Sequence, residues 1–203
     1  MSVFPLSFAQ HRLLFLHAMD PTGFAHSVSR VYQVDGPLDP AALQRAIDLL
    51  VDRHEPLRTT FPARAPVAAG QRIAAHYPVR LTHADLSGRP DEVPAAVSRI
   101  QREPFQPSTG PLLRASLLRT NQDRHLLVLS MHLLAADGWG WQVFCGDLAE
   151  AYRAELAGES PDFSDLPVQY ADWSGWQRDQ LATHRSAELA RRWRATLAGL
   201  PLT

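Results

Sequence analysis

The sequence predicts an α+β fold in which a mixed sheet is flanked by helices within one sandwich-like unit. Strand-like and helix-like segments alternate without the regular strand-helix-strand rhythm of a doubly wound sheet. Two apolar β runs, Leu112 to Arg119 and His125 to His132, are separated by Thr120-Asn121-Gln122-Asp123, the composition of a hairpin turn. The chain has 203 residues, 45% hydrophobic and 20% charged. A chain of that size buries roughly 70% of its unfolded surface and needs no disulfide or metal to stay folded.

The elements follow in order. Phe8, Leu13, Leu14, Phe15, Leu16 and Met19 sit mostly at helical spacing behind Ser7, and Gln10 three residues on completes a capping-box pattern, so a first helix is expected. Ser27 to Val34 alternates polar and apolar residues and meets Asp35-Gly36-Pro37, which ends a strand. Asp39 caps a second helix with Pro40 at its first position and Ala42, Leu43, Ala46, Ile47, Leu50 and Val51 on one face. Short strands are expected at Leu57 to Phe61, Gln71 to His76 and Val79 to His83, and a helix at Asp91 to Arg102 with Pro94 in its first turn. Pro104 to Pro111 reads as a loop. After the hairpin, helices are expected at Asp137 to Leu156, Pro167 to Thr183 and Ser186 to Leu197, with Gly158-Glu159-Ser160-Pro161 and then Gly199 and Pro201 as breakers.

Composition excludes several classes of function. The net charge of -1 leaves no footprint for nucleic acid or an anionic membrane. All twenty basic residues are arginine, so Schiff-base and P-loop lysine chemistry is impossible. Cys145 is alone, without the paired spacing of a zinc or redox motif, and is expected to be a small buried filler. His54-Glu55 lacks a second histidine four residues on, so no metal site is expected. The start of the chain has no signal-peptide pattern, and no apolar run approaches the roughly 20 residues of a membrane span, so the expected compartment is the cytoplasm.

Two stretches remain as candidates: Arg53 to Phe61, and Ser130 to Trp139. The second passes from the end of an apolar strand through a small loop into a helix start, where a polar residue can be held rigidly at a cleft. Read from the residues alone, His132 is either a hydrogen-bonded core histidine or a cleft residue, and Asp137 a helix cap or its neighbour in that cleft. Trp139, Trp141, Phe144, Leu148, Tyr152 and Leu156 form a stripe expected to be mostly core, whereas Arg191, Arg192 and Arg194 read as a solvated face that would suit an acidic partner helix.

Together these stretches resemble the condensation domains of nonribosomal peptide synthetases. Ser7 to Leu16 is similar to the family's S-x-A-Q-x-R-L-W-x-L opening, and Arg53 to Phe61 to its R-H-E-x-L-R-T-x-F motif. Met131 to Trp139 is similar to M-H-H-x-x-x-D-G-W, and Tyr170 to Trp176 to Y-x-D-[FY]-A-V-W. The resemblance covers about residues 5 to 200. It implies a chloramphenicol acetyltransferase-like αβ sandwich, a single amino-terminal lobe spanning residues 1–203, with the family's second lobe not represented. It also implies an aspartate–arginine pair, here Asp137 with Arg58, that fixes the motif loop beside Gly138.

Counting back from Asp137-Gly138, the family's first histidine falls on His132 and its second, catalytic one on Leu133. Leucine neither donates nor accepts a proton, so the position is degenerate. The reading is therefore a non-catalytic lobe that binds carrier proteins or other synthetase domains, with a second lobe or self-association covering its exposed apolar surface. It carries no cofactor of its own, because the phosphopantetheine arm belongs to the carrier. The alternative is an acyltransferase that forms amides or esters from carrier-bound thioesters, completed by a second lobe or an oligomer, with His132 as base.

Overall fold

The structure is a computed structural model that describes residues 3–22, 25–62, 70–182 and 185–200. The expected α+β architecture is present. Helix α1 (Phe8–Met19) starts at Ser7, whose hydroxyl accepts the Gln10 amide while the Gln10 side chain accepts the Ser7 amide. Two orphan donors at the helix start are satisfied reciprocally. Helix α2 (Pro40–Arg53) is capped by Asp39 with Pro40 in its first turn, and buries Ala42, Leu43, Ala46, Ile47, Leu50 and Val51, the face its spacing predicts.

The main sheet holds β2 (Ser27–Asp35), β5 (Leu81–Asp85), β6 (Leu113–Asn121) and β7 (Arg124–His132) in the order β2-β7-β6-β5. The hairpin β6–β7 turns at Gln122-Asp123, with a bulge between Arg119 and Asn121, and β2 pairs antiparallel with β7 over nine residues. Strand β5 joins β6 in parallel, which makes the sheet mixed. A smaller sheet, β1-β4-β3, is formed by β1 (Val3–Phe4), β3 (Thr59–Thr60) and β4 (Gln71–Ile73).

Alternation along the central strands sends side chains to two cores. Leu113, Ala115, Leu117, Leu127, Leu129 and Met131 point to one face, under α2 and α4 (Gly138–Ala157). Leu118 and Val128 point to the other, where α3 (Val93–Arg102) lays Val93, Ala96, Val97 and Ile100. Burial on both faces explains why β6 and β7 read as continuous apolar runs. A third cluster, Leu6, Leu14, Phe61, Leu112 and Leu134, ties α1 to the loop after β7. A buried polar chain does the same for α5 (Tyr170–Ala182): the Gln10 amide donates to Gln71 Oε1 at 3.0 Å, and Gln71 Nε2 donates to Ser174 Oγ and to the Pro5 carbonyl.

Several expected boundaries shift. Leu57 is not in a strand, because Glu55–Arg58 forms a 3-10 turn and only Thr59–Thr60 pairs. The strand expected at Gln71 to His76 contracts to Gln71–Ile73, and that expected at Val79 to His83 shifts to Leu81–Asp85. A 3-10 turn, Pro90–Glu92, takes the start of the expected third helix, leaving Pro94 near the first position of α3. The last helix, α6, spans Arg185–Thr196. The expected end of the preceding helix at Thr183, the expected stop at Pro201 and the end of the expected single-lobe span lie outside the described residues.

Candidate functional site

The loop from β7 to α4 carries the candidate residues. His132 is the last residue of β7, opposite Ser27, and its side chain is 2% exposed. Its Nδ1 accepts the Leu134 backbone N–H at 3.1 Å. The neutral ring therefore carries its proton on Nε2, which is buried and makes no hydrogen bond among the described residues. His17 and Phe105 meet the ring edge-on, with centroids 5.8 Å and 6.0 Å away. Burial, reinforced by His17 and His26, lowers the pKa of His132 from 6.5 to about 4.

Leu133 lies just beyond the strand, half-buried, with its N–H donated to the His26 carbonyl at 2.8 Å. A largely apolar cavity of about 200 Å³ opens beside this loop, lined by His54 together with Pro56, Met131, Ala135, Val143 and Leu166. Neither His132 nor Leu133 is among its lining residues.

Asp137 caps α4: its Oδ1 accepts the N–H groups of Trp139 at 3.0 Å and Gly140 at 2.8 Å. The expected Asp137–Arg58 pair is not formed, and that expectation is corrected. Arg58 donates instead to the carbonyls of Ala74 and Asp52 and lies 3.7 Å from Glu55. It stands at the end of the 3-10 turn, where backbone acceptors at the end of α2 and just beyond β4 engage its two terminal nitrogens and its buried Nε makes no hydrogen bond among the described residues, while the amides of the helix start occupy Asp137.

The carboxylate that does gather charge from the Arg53-His54 motif is Asp147 on α4. Its Oδ2 accepts from Arg53 Nε at 3.0 Å and lies 2.7 Å from His54 Nε2. Burial lowers the His54 pKa, and Asp147 opposes that shift. Sequence reasoning missed Asp147 because nothing local marks it, the pair being 94 residues apart.

Gly138, part of the motif, is unconstrained: a Cβ there meets nothing within 4 Å. Gly140 is the constrained one, since its Cβ would lie 3.3 Å from Ala136 Cβ and 3.5 Å from Asp137 Oδ1. Of the aromatic stripe, Trp141, Phe144 and Leu148 are buried, whereas Trp139 is 75% exposed and Leu156 is also exposed. Cys145 is half-buried rather than fully so, 3.3 Å from the Tyr32 hydroxyl, which also accepts Trp141 Nε1–H at 2.8 Å. Among the described residues, no group of three or more His, Cys, Asp or Glu is placed to hold a metal ion, and no helix is long and apolar enough to cross a membrane.

A mixed sheet with α2 and α4 on one face, ending in a strand–loop–helix that carries His132 and Asp137-Gly138, defines an αβ-sandwich lobe of the acetyltransferase-like kind. The family model described as Condensation domain matches residues 1–203, and the chain belongs to that family. It is 38% identical over 198 residues to a linear gramicidin synthase of Brevibacillus parabrevis, covering 95% of this chain and 2% of that protein. It is 39% identical to phosphinothricin tripeptide synthetase PhsC of Streptomyces viridochromogenes, covering 97% of this chain and 18% of that protein. Among solved structures it is similar to the X-domain in the complex of the X-domain and OxyB from teicoplanin biosynthesis, with a TM-score of 0.88 and 31% identity, covering 99% of this chain and 44% of that one. The chain thus spans a small part of these curated relatives and about half of the solved structure it matches.

Proposed function

We propose that this chain is a condensation-type lobe of a nonribosomal peptide assembly line that binds carrier proteins or neighbouring synthetase domains without carrying out the condensation step itself. One observation carries the reading: the motif loop offers no basic lone pair. Leu133 stands where the resemblance implies the catalytic histidine, and the only lone pair of neutral His132 accepts the Leu134 N–H. Using His132 as a base would break that bond and place a charge at a position where burial lowers its pKa to about 4. What remains is a rigid loop and a lobe that can position partners, with the phosphopantetheine arm arriving on the carrier as part of the substrate.

The test incubates an aminoacyl-loaded donor carrier and acceptor carrier with the chain and reads the acceptor by intact-protein mass spectrometry. No dipeptidyl acceptor is expected, in conditions where a complete condensation domain forms it. Dipeptidyl acceptor that appears only with this chain, and is lost in His132→Gln, would overturn the reading in favour of an acyltransferase.

A further inference from the structure

Helix α3 does not cover the sheet along its whole length. It packs Val93, Ala96, Val97 and Ile100 on Leu86, Leu118 and Val128. Toward its last turn the two surfaces separate into a cleft of about 610 Å³ at the β5 edge of the sheet, roofed by Arg99, Ile100 and Arg102. Strand register builds the floor. Parallel pairing of β5 with β6 sets Thr82 beside Ser116 and Ala84 beside Leu118, and alternation turns all four toward α3.

Two features of the cleft imply a polar occupant. The first is the floor, which turns polar where apolar residues would have extended the core. Ser116 is 7% exposed, and its Oγ lies 2.7 Å from Thr82 Oγ1, so one hydroxyl hydrogen joins the pair. The other meets only the Ala115 carbonyl, 3.4 Å from Thr82 Oγ1, which is beyond ordinary O–H···O length. That hydrogen is available to a ligand in the cleft.

The second feature is the charge of the roof. Arg99 and Arg102, three residues apart on α3, are neighbours on the helix surface, where like charges repel. Neither has an acid partner among the described residues, and the carboxylate of Glu103 in the same lining lies 3.4 Å from Arg114. Unpaired arginines occur elsewhere on the surface, but these two converge on a cavity whose opposite wall carries hydroxyl groups. The helix dipole accounts for cations in a last turn; it does not account for the hydroxyls facing them. Two guanidinium forks and a hydroxyl pair match a dianion with several terminal oxygens. A carboxylate offers one charge and two oxygens, whereas a phosphate monoester offers nearly two charges and three oxygens. The remaining walls, Ala84, Ile100 and Leu118, are apolar.

We propose that the cleft between α3 and β5 binds a small organic phosphate monoester. Its phosphate lies between Arg99 and Arg102, one oxygen meets the Thr82–Ser116 hydroxyls, and its apolar body rests on Ile100 and Leu118. Neither His132 nor Asp137 lines the cleft, and the assignment is independent of the binding role proposed for the lobe.

The experiment titrates the full chain with phenyl phosphate, inorganic phosphate and benzoate by isothermal titration calorimetry, at low and at physiological salt. Saturable binding to one site is expected, tightest for phenyl phosphate, weakest for benzoate and weakened by salt. Arg99→Gln/Arg102→Gln is expected to weaken phenyl phosphate binding by about 10-fold or more, and Ser116→Ala by about 3-fold. Arg191→Gln/Arg192→Gln, which removes two exposed charges from α6, is expected to leave it unchanged. Circular dichroism checks that each variant stays folded. Wild-type chain that binds none of the probes overturns the site, and so does binding that the Arg99/Arg102 double variant and Ser116→Ala leave unchanged. Benzoate that binds as tightly as phenyl phosphate overturns the assignment to a phosphate monoester. Binding to phosphatidic acid vesicles that depends on Arg99 and Arg102, without binding of phenyl phosphate, overturns the small-molecule ligand in favour of a lipid headgroup.

Discussion

The imidazole of His132 shows how one hydrogen bond sets a residue's role. Because the Leu134 amide takes the Nδ1 lone pair, the ring braces the loop it belongs to. His132→Ala removes a buried ring and strands a buried N–H, so we expect a loss of about 3 kcal/mol in urea unfolding. Leu133→His, at a half-buried position held through its backbone N–H, is expected to cost less than about 1 kcal/mol. A reversed order of the two costs would show that the loop hangs on Leu133. The glycines divide in the same way. Gly138→Ala, with open space around its Cβ, is expected to leave the thermal midpoint within a few degrees, because surface changes stay within about 0.5 kcal/mol. Gly140→Val must push Ala136 or Asp137 aside and is expected to lower it measurably, since overpacking costs about 1–3 kcal/mol. Differential scanning fluorimetry separates them.

At the scale of elements, α4 is held at two places by acids with different tasks. Asp137 satisfies the helix's own first amides, while Asp147, on the same helix, gathers Arg53 and His54 from the end of α2. A double-mutant cycle on Asp137 and Arg58 is therefore expected to give a coupling energy near zero, whereas Arg53 and Asp147, about four-fifths buried, should couple by about 1 kcal/mol. Equal couplings would mean that Arg58 reaches Asp137 in solution. The motif containing Arg53 to Phe61 was legible as a block, and so was its position at a helix end; which carboxylate each of its two arginines would meet was not. Both are near a helix terminus in sequence; Arg58 meets Glu55 within its own 3-10 turn, whereas only the docking of α4 on α2 puts Asp147 beside Arg53.

For the whole molecule, the buried histidines set an acid limit. Above pH 6.5, His132 is neutral whether folded or unfolded, and its burial carries no protonation penalty. As pH falls from 6.5 toward about 4, the unfolded chain binds a proton that the folded chain refuses, so stability declines across that window by as much as about 3 kcal/mol. His17 and His54, also lowered chiefly by burial, act in the same direction. Urea midpoints measured from pH 7.5 to 4.5 should fall more steeply for the wild type than for His132→Gln. Parallel slopes would place the limit elsewhere.

The sequence by itself determined what is local along the chain: the caps at Ser7, Asp39 and Asp137, the helical face of α2, the hairpin at Gln122-Asp123 and the motifs that point to the condensation family. Capping, periodicity and turn chemistry act between residues a few positions apart, so the order of residues is enough to specify them. Only the tertiary structure decided the parallel pairing of β5 with β6, the polar chain through Gln10, Gln71 and Ser174, the choice of Asp147 over Asp137 as an arginine partner, and the exposure of α6. Those contacts join residues tens of positions apart. Whether they form depends on how preformed faces stack to bury apolar area, and neither residue of a pair carries that information alone.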